Sequence, residues 1–299
     1  MTSHLEQCLF GLAVGDALGF PFEKFPRGTF SCTTMTSSSR FPKGTWSDDT
    51  AMTVAELVSL GEKGRVDFDD MSERFFCWMD QGRYSCTGTC NGIGHTTMEA
   101  IRNYMMGSEA VKSGLVGIRS NGNGALMRLM PFSLLKEEYR QGWDIKDAIS
   151  MTHRHPISLA CCIFYDHLLR ALLFDSSLQA AYEFASERVE ERERTLIQAP
   201  HWEELVSRTE SEMKSDAYVV STLFTSVWCV EKTTSYKEAV LKAVNLGEDS
   251  DTTASVTGVI AALKYGIGGK RGVPKEWIDD LRSKEMLGEA VKLASPMML

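Results

Sequence analysis

A deficit of basic residues, scarce strand patterning and no long apolar run mark this 299-residue chain, and each shortage closes off a class of function. Lys and Arg number 32 against 40 Asp and Glu, for a formal charge of −8, so the chain lacks the basic face with which general nucleic-acid binders displace counterions. Nucleic-acid binding is not expected, although local dipoles and a metal can still hold a small anionic ligand. No apolar run reaches the roughly 20 residues of a membrane span. Residues 1–7 carry neither a basic n-region nor an apolar h-region, so no membrane partner and no signal peptide are expected. The eight cysteines show no paired CxxC spacings. Cys86, Cys90 and His95 imitate three zinc ligands, but a fourth at sensible spacing is missing. Reduced thiols in a cytoplasmic protein are the better reading.

What is present is helical punctuation. Leu5, Cys8, Leu9 and Leu12 follow helix spacing and run into the small-residue stretch Gly15-Asp16-Ala17-Leu18-Gly19. Ser235 and Glu238 form a capping box ahead of Ala239, Val240, Ala243 and Val244, and Gly247 stops that helix. Val256, Val259, Ile260 and Leu263 mark another, ending near Gly266. Residues 157–174 and 217–230 are apolar enough for buried helices, whereas 183–194 is charged on most faces and reads as a solvated one. Residues 24–45 and 106–124 are rich in loop signals. Two-residue alternation is hard to find, and no repeat, linker or composition break divides the chain. One all-α domain over residues 1–299 is expected, and a chain of this length buries roughly 75% of its unfolded surface, enough to need no staple.

The chemistry concentrates in two acidic clusters about two hundred residues apart, Ser47-Asp48-Asp49-Thr50 and Asp249-Ser250-Asp251-Thr252-Thr253. Carboxylates this dense repel one another unless a cation or a proton compensates. Each cluster alone reads as ordinary first-turn capping, with Ser47 as N-cap in the first. Together they exceed that need, since one side chain satisfies a cap. Oxygen donors of this kind suit Mg²⁺, Mn²⁺ or Ca²⁺ rather than zinc. Asp249-x-Asp251-x-Thr253 is not an EF-hand, because Ala254 occupies the sixth position where glycine is required. Nor is it a phosphatase nucleophile motif, because a capped helix rather than a buried parallel strand precedes it.

Five stretches, in order and spanning nearly the whole chain, resemble the ADP-ribosylglycohydrolases. They are Gly11-Leu-Ala-Val-Gly-Asp-Ala-Leu-Gly19 with Pro21-Phe22-Glu23, then Gly44-Thr45-Trp46-Ser47-Asp48-Asp49-Thr50, Gly122-Asn123-Gly124-Ala125-Leu126-Met127-Arg128, Thr152-His153 and Asp249-Ser250-Asp251-Thr252. The resemblance implies a single-domain orthogonal helical bundle, a centre of two Mg²⁺ or Mn²⁺ ions, and hydrolysis of the glycosidic bond between ADP-ribose and a protein side chain, arginine first among the acceptors. An ADP-ribosylated protein is then the substrate and ADP-ribose the product. Another linkage (serine, a nucleic-acid base or a small metabolite) and a non-catalytic binder remain as alternatives. By resemblance Ser47, Asp48, Asp49, Asp249, Asp251 and Thr252 are the metal ligands and Glu23 is the catalytic carboxylate. Gly122, Asn123 and Gly124 form the diphosphate loop, while Ser120 and His153 contact ADP-ribose. The apolar run after Gly124 suggests a helix whose dipole would assist that loop. Arg128 reads as a structural ion-pair partner and His155 as structural. Two departures stand out. Gly92 occupies the place of an aspartate found in many relatives, and Asn121 that of an adenine-stacking aromatic.

Overall fold

The apolar spacing near the start becomes α1 (His4–Gly19), which begins where the Ser3 hydroxyl accepts the Glu6 N–H at 3.2 Å. The structure, a computed structural model, describes residues 2–299. After an irregular stretch come α2 (Asp48–Lys63), α3 (Phe68–Gln81) and α4 (His95–Met105). Gly64 and Gly82, at φ +63° and +67°, end α2 and α3 in the left-handed conformation that favours glycine. The short α5 (Met130–Ser133) and α6 (Ile145–Ser150) lead to α7 (Pro156–Leu172), where Pro156 takes the first turn and His155 Nδ1 accepts the Ile157 N–H. Next stand α8 (Leu178–Arg188), α9 (Glu191–Leu196) and α10 (Trp202–Ser207), then the core helices α11 (Val219–Glu231), α12 (Tyr236–Asn245) and α13 (Ser250–Tyr265). Two further helices, α14 (Lys275–Asp280) and α15 (Lys284–Ala294), close the chain. Among the described residues there is no β-strand, only isolated bridges. The fold is all-α.

Several local expectations shift by a residue or two. The solvated helix expected over 183–194 splits into α8 and α9, because Val189 turns extended and buries its side chain. The capping box at α12 is also displaced: Ser235 accepts the Glu238 N–H, but the Glu238 carboxylate accepts from Thr234 rather than Ser235. Residues 24–45 contain no α-helix, and 106–124 hold only a single 3-10 turn, Ala110–Lys112. α7 is long and apolar enough to cross a membrane by composition, yet 78% of its 18-residue apolar window is buried inside the molecule.

The packing that positions the site is the contact between α1 and α13. Both helices are buried on nearly every face, so neither has a polar stripe to spare. A β-carbon at Gly15 would lie 2.2 Å from the Ala254 carbonyl oxygen, and one at Gly258 would lie 2.2 Å from that of Gly11. Side chains there would force the helices apart, so the small-residue stretch read in the sequence is a contact surface. Tyr236 locks the crossing by donating its hydroxyl to the Gly11 carbonyl at 2.6 Å. The approach sets Asp16, near the end of α1, against the N-terminal turn of α13.

Candidate active site

Neither acidic cluster caps the helix it begins. Ser47 and Asp249 occupy the N-cap positions of α2 and α13, yet neither makes a side-chain capping bond. The cap of α2 comes from Asp16 on α1. Its carboxylate accepts the Ser47 N–H at 2.9 Å, the Thr50 N–H at 3.1 Å and the Thr50 hydroxyl at 2.6 Å. Because Asp16 satisfies those donors, Ser47, Asp48 and Asp49 need not turn back on their own helix. Trp46 anchors the entry, fully buried, with its indole N–H donated to the Arg282 carbonyl.

The clusters meet. Asp49 accepts hydrogen bonds from the Ser47 hydroxyl at 3.1 Å and, across 203 positions of chain, from the Thr252 hydroxyl at 3.4 Å. One carboxylate oxygen from each of Asp16, Asp49 and Asp251 lies within 4.8 Å of the others. Asp49 Oδ1 and Asp251 Oδ1 are buried without any partner among the described residues. Two orphaned carboxylate oxygens with hydroxyls beside them fit a hard divalent cation. Asp16 is less suited to ligation than its position suggests, since both its oxygens already accept from α2. The Cys86 thiol donates to the Trp46 carbonyl and accepts its N–H.

Crowding and burial shape the protonation of this group. Burial pushes Asp48 up to about 8, and the charge of Asp16 adds to the rise. Asp16 itself rises to about 6, because burial outweighs the hydrogen bonds from Thr50 and Ser47. Asp49 and Asp251 lie well above the ordinary carboxylate range, again through burial first and neighbouring carboxylates second. Burial raises Asp249 too, against the Asn123 amide, which donates to it at 2.5 Å.

Asp48, Asp249, Asp251 and Thr252 form the floor of a cleft of about 380 Å³, with Ser47 and Asp49 lying beneath. Glu23 and Lys24 stand at one side, the Lys24 ammonium 3.1 Å from the Glu23 carboxylate. The Glu23 loop is tied to the second cluster by paired backbone bonds, Lys24 N–H to the Glu248 carbonyl at 2.6 Å and Glu248 N–H to the Phe25 carbonyl at 2.8 Å. Lys24 and Glu248 hold φ of +71° and +56°, conformations that non-glycine residues seldom adopt.

Gly122, Asn123, Gly124 and His153 also line the cleft, but not as the sequence led one to expect. Neither glycine uses positive φ, and residues 124–128 form turns rather than a helix. The Asn123 side chain is engaged by Asp249 and Thr222. Besides the starts of α2 and α13 at the floor, the N-terminus of α4 also reaches the cleft. Gly94, His95, Thr96 and Thr97 line the wall, and no side chain caps this helix, which leaves its first N–H groups available to an anion. In the sequence this segment stands out only for Gly92, and the helix start after it goes unassigned; the bare Gly94 at the N-cap was the signal. Ser120 is buried but does not line the cleft. Asn121 is also buried, donating to the Ile118 carbonyl and accepting from Ser158. Gly92, at φ +85°, brings backbone against the floor: a β-carbon there would lie 2.2 Å from Asp48 Oδ1. Arg128 pairs with Glu56 at 2.5 Å, both fully buried.

A profile of the ADP-ribosylglycohydrolase family matches residues 2–297. The chain is 33% identical over 283 residues to the ADP-ribosylarginine hydrolase Tri1 of Serratia proteamaculans, covering 93% of this chain and 75% of that protein. It is 29% identical over 284 residues to the ADP-ribosyl-[dinitrogen reductase] glycohydrolase of Rhodospirillum rubrum, covering 92% and 88%. A solved structure described as an ADP-ribosylglycohydrolase-related protein complex superposes with a TM-score of 0.79 at 28% identity, over 99% of this chain and 98% of that one.

Proposed function

Because the chain belongs to the ADP-ribosylglycohydrolase family and is therefore a glycohydrolase, we propose that it releases ADP-ribose from arginine side chains of a modified protein. Ser47, Asp48, Asp49, Asp249, Asp251 and Thr252 would hold two Mg²⁺ or Mn²⁺ ions. The observation that carries this reading is that two helix starts meet with their carboxylates turned away from capping, leaving orphaned oxygens beneath a cleft. When bound, the ions would supply Lewis acidity toward ribose hydroxyls and a lowered pKa for water.

The chain's own groups do the rest. Glu23, tethered beside the second cluster, is the carboxylate that takes the proton from water attacking C1″ and faces the positive charge developing on the sugar. The uncapped turn of α4 offers N–H groups to the diphosphate. Tyr218, 40% exposed and bridged through its backbone to Gly122, is the aromatic proposed for adenine where Asn121 is otherwise engaged. An arginine acceptor suits a site whose one carboxylate outside the proposed ligand set is Glu23. Guanidine leaves neutral and, with a pKa above about 12, captures a proton from water, so it needs no dedicated acid. An alkoxide departing from serine would need one.

Turnover of arginine-linked and serine-linked ADP-ribosyl proteins, each in EDTA and in Mn²⁺, tests the reading. Arginine-linked substrate should react at least a hundredfold faster, and only with metal. Serine preference would overturn the acceptor, and full activity in EDTA would overturn the metal centre.

A further inference from the structure

We infer that Arg128 and Thr152 act as positioning residues that fix His153 as its Nε2–H tautomer, so that the imidazole presents a hydrogen-bond donor to the ligand on the cleft wall. The argument is an inventory of donors. Arg128 donates one guanidinium N–H to the Thr152 hydroxyl oxygen at 2.8 Å and another to the Ala148 carbonyl at 3.0 Å, while its ion pair with Glu56 holds the guanidinium in place. Arginine has no acceptor to offer, so at Thr152 the hydroxyl oxygen must be the acceptor. Thr152 has one proton left to give, and its only other partner among the described residues is His153 Nδ1 at 2.9 Å. If Nδ1 carried the imidazole proton, two donors would converge on Thr152 and its own hydroxyl proton, buried at 1% exposure, would have no acceptor. Nδ1 is therefore the acceptor, and the proton sits on Nε2.

Nε2 has no hydrogen-bond partner within the described protein, and His153 lines the cleft. It stands over the Gly122–Gly124 loop: β-carbons built on Gly122 or Gly124 would each lie 3.6 Å from it, and the one on Gly124 would also lie 2.9 Å from Thr97 Oγ1 of α4. Burial, with the charge of Arg128 added, lowers His153 to about 3, so it stays a neutral donor throughout the working range. The chain Glu56–Arg128–Thr152–His153 thus links α2, two turns beyond the Asp48–Asp49 pair, to the His153 imidazole lining the same cleft. A neutral donor suits an oxygen ligand of either charge, a ribose hydroxyl or a diphosphate oxygen.

The inference rests on the ADP-ribose reading only for the identity of the ligand; the tautomer is a property of the free protein. Protein labelled with ¹⁵N-histidine, with His153→Gln used to assign its signals, should show Nδ1 unprotonated and Nε2 protonated in long-range proton–nitrogen spectra without ligand. Thr152→Val should let the Nδ1–H form appear and weaken ADP-ribose binding by roughly tenfold, with Mn²⁺ affinity unchanged. Thr152→Ser should restore both the tautomer and the affinity. An Nδ1–H tautomer in the wild type would overturn the proposal, as would a Thr152→Val protein whose tautomer and affinity match wild type. Failure of the wild type to bind ADP-ribose counts instead against the functional reading, and the tautomer spectrum still decides the inference.

Discussion

Replacing Asp49 by asparagine should make the metal-free protein more stable and the metal-loaded protein less so. Asp49 is completely buried, lies within reach of Asp16 and Asp251, and has one oxygen without a partner. Its carboxyl is raised well above the ordinary range by burial, then by the charges of Asp16, Asp48 and Asp249. The sign follows from proton counting. Between the pKa of an unfolded carboxyl and that of the folded one, the folded state holds more protons, so stability falls as pH rises through that window. For this cluster the window runs from about 4 to at least about 8, where Asp48 titrates. Each excess proton costs about 1.4 kcal/mol per pH unit. The amide introduced by Asp49→Asn cannot ionise, so one such proton is removed from the balance, and the neighbouring carboxylates feel one charge fewer.

The assay is urea unfolding of wild type and Asp49→Asn between pH 5 and pH 7, in EDTA and in excess Mn²⁺. In EDTA the wild type should lose stability with pH more steeply than the variant, by about 1 kcal/mol per pH unit, and be the less stable of the two at pH 7 by about 2 kcal/mol. Metal at a hundred times its Kd should add about 2.7 kcal/mol to the wild type and far less to the variant. If Asp49→Asn weakens the protein in EDTA at pH 7, or if both proteins gain equally from Mn²⁺, Asp49 is a structural residue and the reasoning fails.

Glu23→Gln keeps size and removes the proton acceptor, so turnover should fall about 10²–10⁴-fold while calorimetric ADP-ribose affinity holds; a rate within threefold of wild type removes Glu23 from the mechanism. Gly92→Asp, which introduces the aspartate expected from the family pattern, places a β-carbon against Asp48 Oδ1 on a backbone at φ +85°. Mn²⁺ affinity should drop at least tenfold, and unchanged affinity would show that the loop yields freely. Arg128→Met strands the buried Glu56 carboxylate, and a loss of about 3–5 kcal/mol in urea unfolding is expected; a loss below about 1 kcal/mol would mean that Glu56 simply takes up a proton.

The helical class is legible in the sequence because cap and stop residues act locally: Ser235 accepts the Glu238 N–H three residues on, and Gly247 takes φ +79° just past the end of α12. The acidic clusters are legible for a related reason, since side chains that a local rule does not need stand out. What stays hidden is tertiary. Asp16 caps a helix 31 positions downstream, and no spacing rule looks that far. The apolar run after Gly124 points to a helix dipole at the diphosphate loop. In the fold that run is held in turns by packing, and the dipole arrives from α4, just after the Gly92 stretch that departs from the family pattern.

The same geometry explains why so much irregular chain surrounds the site. Four raised carboxylates at two helix starts are an electrostatic liability that local structure cannot contain, so the restraint comes from outside both helices. Asp16 holds the first start from α1. The second is held by the loop that carries Glu23, where Lys24 and Glu248 hold strained backbone angles as Lys24 donates to the Glu248 carbonyl and Glu248 to that of Phe25. Arg27 fastens that loop further by donating to the carbonyls of Leu246, Glu210 and Met213. Strain of about 1–3 kcal/mol per residue persists only where surrounding bonds over-determine it. Here those bonds join the proposed catalytic carboxylate, Glu23, and the second acidic cluster into one unit. Loosening Arg27 should therefore disturb turnover and metal affinity together, although the residue touches neither cluster.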